Sequence, residues 1–337
     1  MRNVDVSVLL LTVIFMLVAG AAPLNAQSAG YLVEAAWEGD LAAVQQLVDN
    51  GVDANASMEG ATALAAASYH GHVSIVEFLL QHGAAPNTTV PELSRTALHI
   101  AAMKGHSEAL RLLLAANADT EVRDKEGVTP LGLAVTSGDQ AVVEDLVRHG
   151  ADLSATFPPS DATALHGAAT WGNGPMALVM LKHGARHDAR SSTGKTPLHY
   201  AAAAGKREVA LHLIRAGATV EAVDDDDRRP LHNAAATGHD DLVALLIEQG
   251  ADVDVADEKG MTPLHWAAAR GRDKRFWGTL GVKGASLGHQ HRNIVKRLIE
   301  AGADVNARDK KKRTPLRIAV KGKHADLVAI FEKHGAE

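Results

Sequence analysis

The sequence predicts an all-α solenoid of stacked helix-turn-helix units, because one phrase recurs along it at a nearly constant interval. TPLHYAAAAGK (196–206), RPLHNAAATGH (229–239) and TPLHWAAARGR (262–272) are near copies. Looser copies are TALAAASYHGH (62–72), TALHIAAMKGH (96–106), TPLGLAVTSGD (129–139), TALHGAATWGN (163–173) and TPLRIAVKGKH (314–324). The anchor leucines are Leu32, Leu64, Leu98, Leu131, Leu165, Leu198, Leu231, Leu264 and Leu316, spaced by 32, 34, 33, 34, 33, 33, 33 and 52 residues. Nineteen residues after eight of them stands Gly51, Gly83, Asn117, Gly150, Gly184, Gly217, Gly250 or Gly335, and the ninth partner is Gly302. A fixed period of this length marks a repeat architecture whose units are stable only when stacked.

Each part of the phrase has a physical reading. Threonine ahead of proline places a capping side chain before a helix, with proline where no N–H is required. The anchor leucine and paired small residues, as in Leu231, Ala234 and Ala235, let this inner helix approach its neighbours closely. An outer helix follows with apolar positions such as Leu242, Val243, Leu245, Leu246 and Ile247. Gly250 ends it as a left-handed cap, and ADVDVAD leads as an extended turn into the next unit.

The T-P-L-H-x-A-A phrase closely resembles the ankyrin repeat family. The resemblance runs over about nine units, from about Gly30 to the last residue. It implies antiparallel helix pairs, β-hairpin-like fingers between units, and a concave face made by fingers and inner helices. It also implies that the motif histidine, here His99, His166, His199, His232 and His265, ties the fingers of neighbouring units together. The ends depart from the phrase as caps do: the first unit reads YLVEAAWEGD, and the last carries Arg317 in place of histidine.

The N-terminus predicts export. A short positive start, the apolar run VSVLLLTVIFMLVAG (6–20) and small residues near Ala26 form a signal-peptide pattern. The domain division is therefore 1–26 as signal peptide and 27–337 as repeat array, with cleavage after Ala21 as the alternative. A bacterial periplasm is the expected compartment, otherwise secretion or a membrane anchor formed by residues 6–22. With no cysteine in 337 residues, disulfides, thiolate metal sites and a cysteine nucleophile are excluded.

Little in the chain points to catalysis, and no cofactor, metal or nucleic acid is expected. Gly194-Lys195-Thr196 imitates a phosphate loop, but that loop needs a glycine five residues before Gly194, where Ala189 stands. GNGPMA from Gly172 hints at a dinucleotide turn, yet it falls between two helices of one repeat. His289 and His291 form a His-x-His pair with no third ligand in the neighbouring sequence.

A protein partner is expected instead, bound by a monomeric, non-enzymatic scaffold through its concave face. Aromatic and arginine side chains are the usual anchors of such contacts. Tyr200 and Trp266 stand two residues after the anchor leucine, where packing on an adjacent unit is expected. Trp37, Tyr69 and Met103 stand five after it; His70, Lys104, Trp171 and Arg270 stand six after it. By resemblance these two positions face the concave surface, and they are the partner-binding candidates.

Charge is segregated. From Arg270 to Glu337 there are 17 Lys/Arg and 7 Asp/Glu, a net of +10, so residues 1–269 carry −16 of the chain's −6. Asp224–Asp227 reads as a solvated turn, and RDKKKR (308–313) as a basic finger. The one long spacing, 52 rather than 33, places a 19-residue insertion near 272–290 in the eighth unit. Phe276 and Trp277 join the binding candidates there, flanked by Lys274, Arg275 and Lys283. Gly278, Gly281, Gly284 and Gly288 predict a pliable loop rather than an added helix. The alternative function is an envelope adaptor that docks its basic C-terminal end and insertion on an anionic envelope surface.

Overall fold

The structure, a computed structural model, describes residues 24–269 and 288–337. It is an all-α array of short helices, as the periodicity predicts, with two-residue antiparallel strand pairs in some fingers. The residues divide into two compact units at Pro130/Leu131.

In the first unit the helices are α1 (Leu24–Glu38), α2 (Leu41–Asp49), α3 (Ala63–His70), α4 (Val73–Gln81), α5 (Ala97–Lys104) and α6 (Ser107–Ala115). Its fingers carry β1 (Ser57–Met58) with β2 (Ala61–Thr62), and β3 (Thr89–Val90) with β4 (Arg95–Thr96). The anticipated cleavage point after Ala26 falls in the first turn of α1, and the apolar run before it lies outside the described residues.

From the boundary onward come α7 (Pro130–Ser137), α8 (Gln140–Arg148), α9 (Ala164–Trp171), α10 (Gly174–Lys182), α11 (Pro197–Ala204) and α12 (Arg207–Arg215). They are followed by α13 (Pro230–Thr237), α14 (Asp240–Glu248), α15 (Pro263–Ala269), α16 (Gly288–Glu300), α17 (Pro315–Gly322) and α18 (Ala325–Lys333). Among the described residues of this unit, β5 (Thr156–Phe157) pairs with β6 (Ala162–Thr163).

The inner helices start as the capping argument requires. Thr62 Oγ1 accepts the Ala65 N–H at 3.2 Å, and Thr314 Oγ1 accepts that of Arg317 at 3.3 Å. Each anchor leucine from Leu32 to Leu264 is buried, as are the small residues beside it. A fully buried leucine is worth ~1.5–3 kcal/mol of transfer free energy, and the alanines let the helix axes come close enough to collect it. After each outer helix the backbone turns left-handed, with φ +90° at Gly51, +86° at Gly250 and +59° at Asn117. A Cβ built at Gly51 or Gly250 meets nothing within 4 Å, so backbone conformation rather than space demands glycine there.

The fingers differ with the residue seven before the anchor leucine, and at Ser191 its hydroxyl accepts the Lys195 N–H at 3.3 Å. Where an aspartate stands seven residues before the anchor leucine, its carboxylate closes the turn. Asp257 Oδ1 accepts the N–H groups of Lys259 and Met261 at 2.8 Å each, and Asp124, Asp224 and Asp309 do the same in their own fingers. Where Ser57, Pro91 or Pro158 occupies that position, the finger forms a strand pair instead. Asp224–Asp227 is therefore not a uniformly solvated turn. Asp224 is buried as the turn acceptor, while Asp225 pairs with Arg190 at 2.9 Å and Asp226 with Arg228 at 3.4 Å.

The five motif histidines are all buried and act alike. The N–H of the capping residue donates to Nδ1: Thr96 to His99 at 3.2 Å, Thr163 to His166 at 3.1 Å, Arg229 to His232 at 3.0 Å. With Nδ1 accepting, the proton sits on Nε2. It is donated to a carbonyl of the next finger: Val128 from His99 at 3.2 Å, Lys195 from His166 at 3.0 Å, Arg228 from His199 at 3.0 Å, Met261 from His232 at 3.1 Å and Arg313 from His265 at 2.9 Å.

Of the anticipated insertion, only its last three residues are described, and these correct the expectation of a pliable loop there. Gly288 opens α16, which runs thirteen residues where the other complete outer helices run nine. His291 falls 52 residues after His239 and repeats its role, donating Nε2–H to Ala236 O at 3.2 Å as His239 does to Ala203 O. It is thus a buried structural histidine rather than half of a metal pair.

Burial pushes the His166 pKa down to about 4 and those of His199 and His232 to about 3, against the partial opposition of their carbonyl bonds. Because the folded values lie below the ordinary 6.5, the unfolded chain takes up protons first as pH falls. Stability from this source is full above about pH 6.5 and declines from there, to about pH 4 for His166 and about pH 3 for His199 and His232. The urea midpoint is expected to follow that course. His232→Gln is expected to cost about 1–3 kcal/mol near neutrality and to make the acid decline shallower. An acid limb of unchanged slope in that variant would acquit the histidine.

Candidate binding surface on the inner helices

The first unit gathers four of the candidate residues. Trp37 closes α1, Tyr69 and His70 close α3, and Lys104 closes α5. The Trp37 and Tyr69 rings stack with centroids 5.2 Å apart and planes inclined 19°. His70 meets Trp37 edge-on at 4.3 Å and Tyr69 at 5.0 Å. The Lys104 ammonium stands 3.9 Å above the Tyr69 ring, where the quadrupole of the ring attracts a cation. Trp37 and Tyr69 are half-buried, whereas His70 and Lys104 are exposed.

Two residues that sequence reasoning did not single out hold this cluster in place. His72 Nε2 donates to Trp37 O and His106 Nε2 to Tyr69 O, each at 3.1 Å. Both follow a glycine, and the recurring Gly-His dipeptide at 71–72, 105–106 and 238–239 was the available signal. The glycine is required twice over at Gly39 and Gly71. Both have positive φ, and a Cβ at either would lie 2.7 Å from the ring of His72 or His106.

The remaining candidates are placed differently. Met103 lies on α5 but turns to the finger, with Arg95 Nη1 3.4 Å from its sulfur, while Arg95 also pairs with Asp124 at 3.0 Å. Trp171, in the second unit, is 62% exposed and has no ring contact among the described residues. Arg270, Phe276 and Trp277 lie outside the described residues.

Tyr200 and Trp266 are core residues, as their position predicts. They are 8% and 2% exposed. Tyr200 meets the His166 ring edge-on at 5.0 Å. Trp266 donates Nε1–H to Asp257 at 3.0 Å, and the Arg228 guanidinium lies 4.4 Å over its ring. The Lys195-Thr196 pair that imitates a phosphate loop is consumed by the repeat. Lys195 is buried and lends its carbonyl to His166, while Thr196 caps α11. Among the described residues no group of three or more His, Cys, Asp or Glu is placed to hold a metal ion. Among those residues no helix is long and apolar enough to cross a membrane.

Stacked helix pairs, left-handed caps and finger-bridging histidines define a repeat solenoid with an exposed inner-helix surface. The chain belongs to the ankyrin repeat family. The family model "Ankyrin repeats (3 copies)" matches residues 14–90, 32–124, 86–157, 158–224 and 213–275, and "Ankyrin repeat" matches 259–310. Among its relatives, the Arabidopsis thaliana "Ankyrin repeat-containing protein ITN1" is 37% identical over 131 residues, 38% of this chain and 20% of that protein. The Caenorhabditis elegans "Transient receptor potential cation channel subfamily A member 1 homolog" is 33% identical over 135 residues, 40% of this chain and 11% of that protein. The human "Ankyrin repeat and SOCS box protein 16" is 30% identical over 191 residues, 53% of this chain and 42% of that protein. The chain thus spans less than half the length of each of these relatives, and what it shares with them is the repeat.

His70 carries a measurable signature of the cluster. Its pKa is lowered first by burial, then by His72, Lys104 and His106. Its imidazole resonances are expected to titrate below the ordinary 6.5, and Lys104→Met is expected to recover only part of the shift. An unchanged midpoint in Lys104→Met would mean that the ammonium does not sit over the rings in solution.

Proposed function

We propose that this chain is an exported, non-enzymatic ankyrin scaffold that binds a partner protein through its inner-helix surface, with Trp37 and Tyr69 as the anchors. The observation that carries the reading is the stacked pair itself, at 5.2 Å, topped by Lys104 at 3.9 Å. Folding does not call for aromatics at this position. The fifth residue after the anchor leucine is Ala203, Ala236 and Ala269 in later repeats that fold the same way.

Rigid, half-buried rings lose little entropy on binding and offer large contact area, which is why such residues dominate interface energetics. The stack is fixed before a partner arrives, because its backbone carbonyls are held by His72 and His106 and its exposed edge by Lys104. Fingers of differing length and charge would then set selectivity. Ankyrin repeats typically mediate protein–protein contacts, and that family habit supports the class of function without naming the partner. Export rests on the N-terminal signal pattern, which makes an envelope or secreted protein the expected partner.

The test is quantitative capture from the host's envelope extract on the immobilised chain and on its Trp37→Ala/Tyr69→Ala variant, with helical content checked by circular dichroism. Loss of one captured protein by about tenfold or more in the folded variant is expected, the size of a typical hot-spot truncation. Equal capture by both would remove this surface from the function.

A further inference from the structure

The inner helices of the first unit end on residues of graded charge. Six residues after the anchor leucine stand Glu38, His70 and Lys104, the last residues of α1, α3 and α5. All three are exposed. That exposure belongs to the register and not to an end of the array, because Ser137 and Trp171 share it in later repeats. The neighbouring row, five after the leucine, opens with Trp37 and Tyr69, and the two rows touch. His70 meets the Trp37 ring and Lys104 the Tyr69 ring. Charge thus runs from acid through imidazole to base along an aromatic floor.

Neither end of this gradient is satisfied by the described residues. Among them the Glu38 side chain has no hydrogen bond or ion pair, and Lys104 has no carboxylate partner. Glu38 also works against its own helix. A carboxylate at a helix C-terminus opposes the macrodipole, and Glu34, one turn earlier, adds a like charge at a spacing where like charges repel. Lys104, in contrast, suits the end of α5. The charges that act on His70 are those of His72, Lys104 and His106, so the basic character extends from α5 over α3 and gives way to acid at α1.

We propose that this surface takes an extended segment of the partner protein with a basic side chain at one end, apolar side chains in the middle and an acidic side chain at the other end. The assignment rests on the reading of Trp37 and Tyr69 as the anchors. Packed helices stand ~8–10 Å apart, so Glu38 and Lys104, two helices apart, are separated by about 16–20 Å. An extended chain rises ~3.3 Å per residue, which puts the two charges about six residues apart. Six is even, so both charges and the residues between them at the second and fourth positions share one face of the segment. The basic side chain then meets Glu38, the acidic one meets Lys104, and the apolar pair lies on the ring stack. A polyanion, whether a bilayer surface or a nucleic acid, is opposed by the two glutamates of α1.

The experiment is fluorescence anisotropy of the full chain with labelled peptides of about nine residues, too short to hold a helix in water. All carry phenylalanine at the two central positions and differ only at the outer charged pair: Lys/Glu, Glu/Glu or Lys/Lys. The Lys/Glu peptide is expected to bind saturably and most tightly. Lys104→Glu is expected to move the preference to Lys/Lys, and Glu38→Lys to move it to Glu/Glu, each by about fivefold, the scale of an exposed ion pair. The milder Lys104→Gln and Glu38→Gln should shift it less in the same directions, and they serve if a reversal disturbs its helix. Trp37→Ala/Tyr69→Ala should remove the binding of all three peptides. Absence of saturable binding, an unchanged order of preference in the charge variants, or full binding by the ring variant would each overturn the proposal. Tighter binding of the Glu/Glu peptide or of phosphatidylglycerol vesicles to the unaltered chain would overturn it as well. The envelope capture separates this proposal from the one it rests on. A captured protein lost with the ring pair but kept by Glu38→Lys and Lys104→Glu would leave the anchors standing and sink the charge polarity.

Discussion

One bond orders the array: the imidazole N–H of a buried motif histidine given to a carbonyl of the next finger. His99, His166, His199, His232 and His265 all make it, over 2.9–3.2 Å. The ring can do this only as the neutral Nε2–H tautomer, since its Nδ1 already accepts the N–H of the helix cap. A single side chain therefore starts its own helix and fixes the entry of the next repeat. Burying a polar ring is costly unless both nitrogens are satisfied, and here both are. The array thus obtains register at these five joints from hydrogen bonds that use both ring nitrogens at once.

A second histidine series runs on the other side of the helix pair. His72, His106, His239 and His291 head outer helices and donate to Trp37, Tyr69, Ala203 and Ala236, each five residues after an anchor leucine. In the first two repeats, where Val33 and Ala65 stand in the motif-histidine position, this series is the histidine tie that remains. It grips the backbone of the two residues whose side chains form the ring stack. Structural order and surface presentation meet at Trp37 and Tyr69, so the proposed binding surface is built on a hydrogen-bonded frame rather than on a loop.

The fold was legible in the sequence because its determinants are local and repeated. Thr-Pro caps, anchor leucines and terminal glycines each act within one repeat, and nine copies average out the noise of any single one. Core placement of Tyr200 and Trp266 was legible for the same reason, since position relative to Leu198 and Leu264 fixes what each side chain meets. What could not be read was pairing across repeats. Nothing in the string says that Lys104 caps the Tyr69 ring or that Met103 turns to Arg95, because both depend on which rotamer the neighbouring finger leaves room for. Asp224 was misread within an acidic run for a related reason. A charge run suggests solvent, but the first carboxylate has two backbone N–H groups to satisfy and is drawn inside. The structural role of His291 was hidden by the insertion, whose length of 19 residues has to be subtracted before it falls in register with His239.

Repetition also makes departures informative, because each position has eight internal controls. A face that must stack against another helix pays a desolvation cost for every charge it carries, and the positions one and four residues after the anchor leucine accordingly carry alanine, glycine, valine, serine and neutral histidine where they are buried. In α17 the histidine position is taken by Arg317, which is exposed, so the charge stays in water and that cost is not incurred.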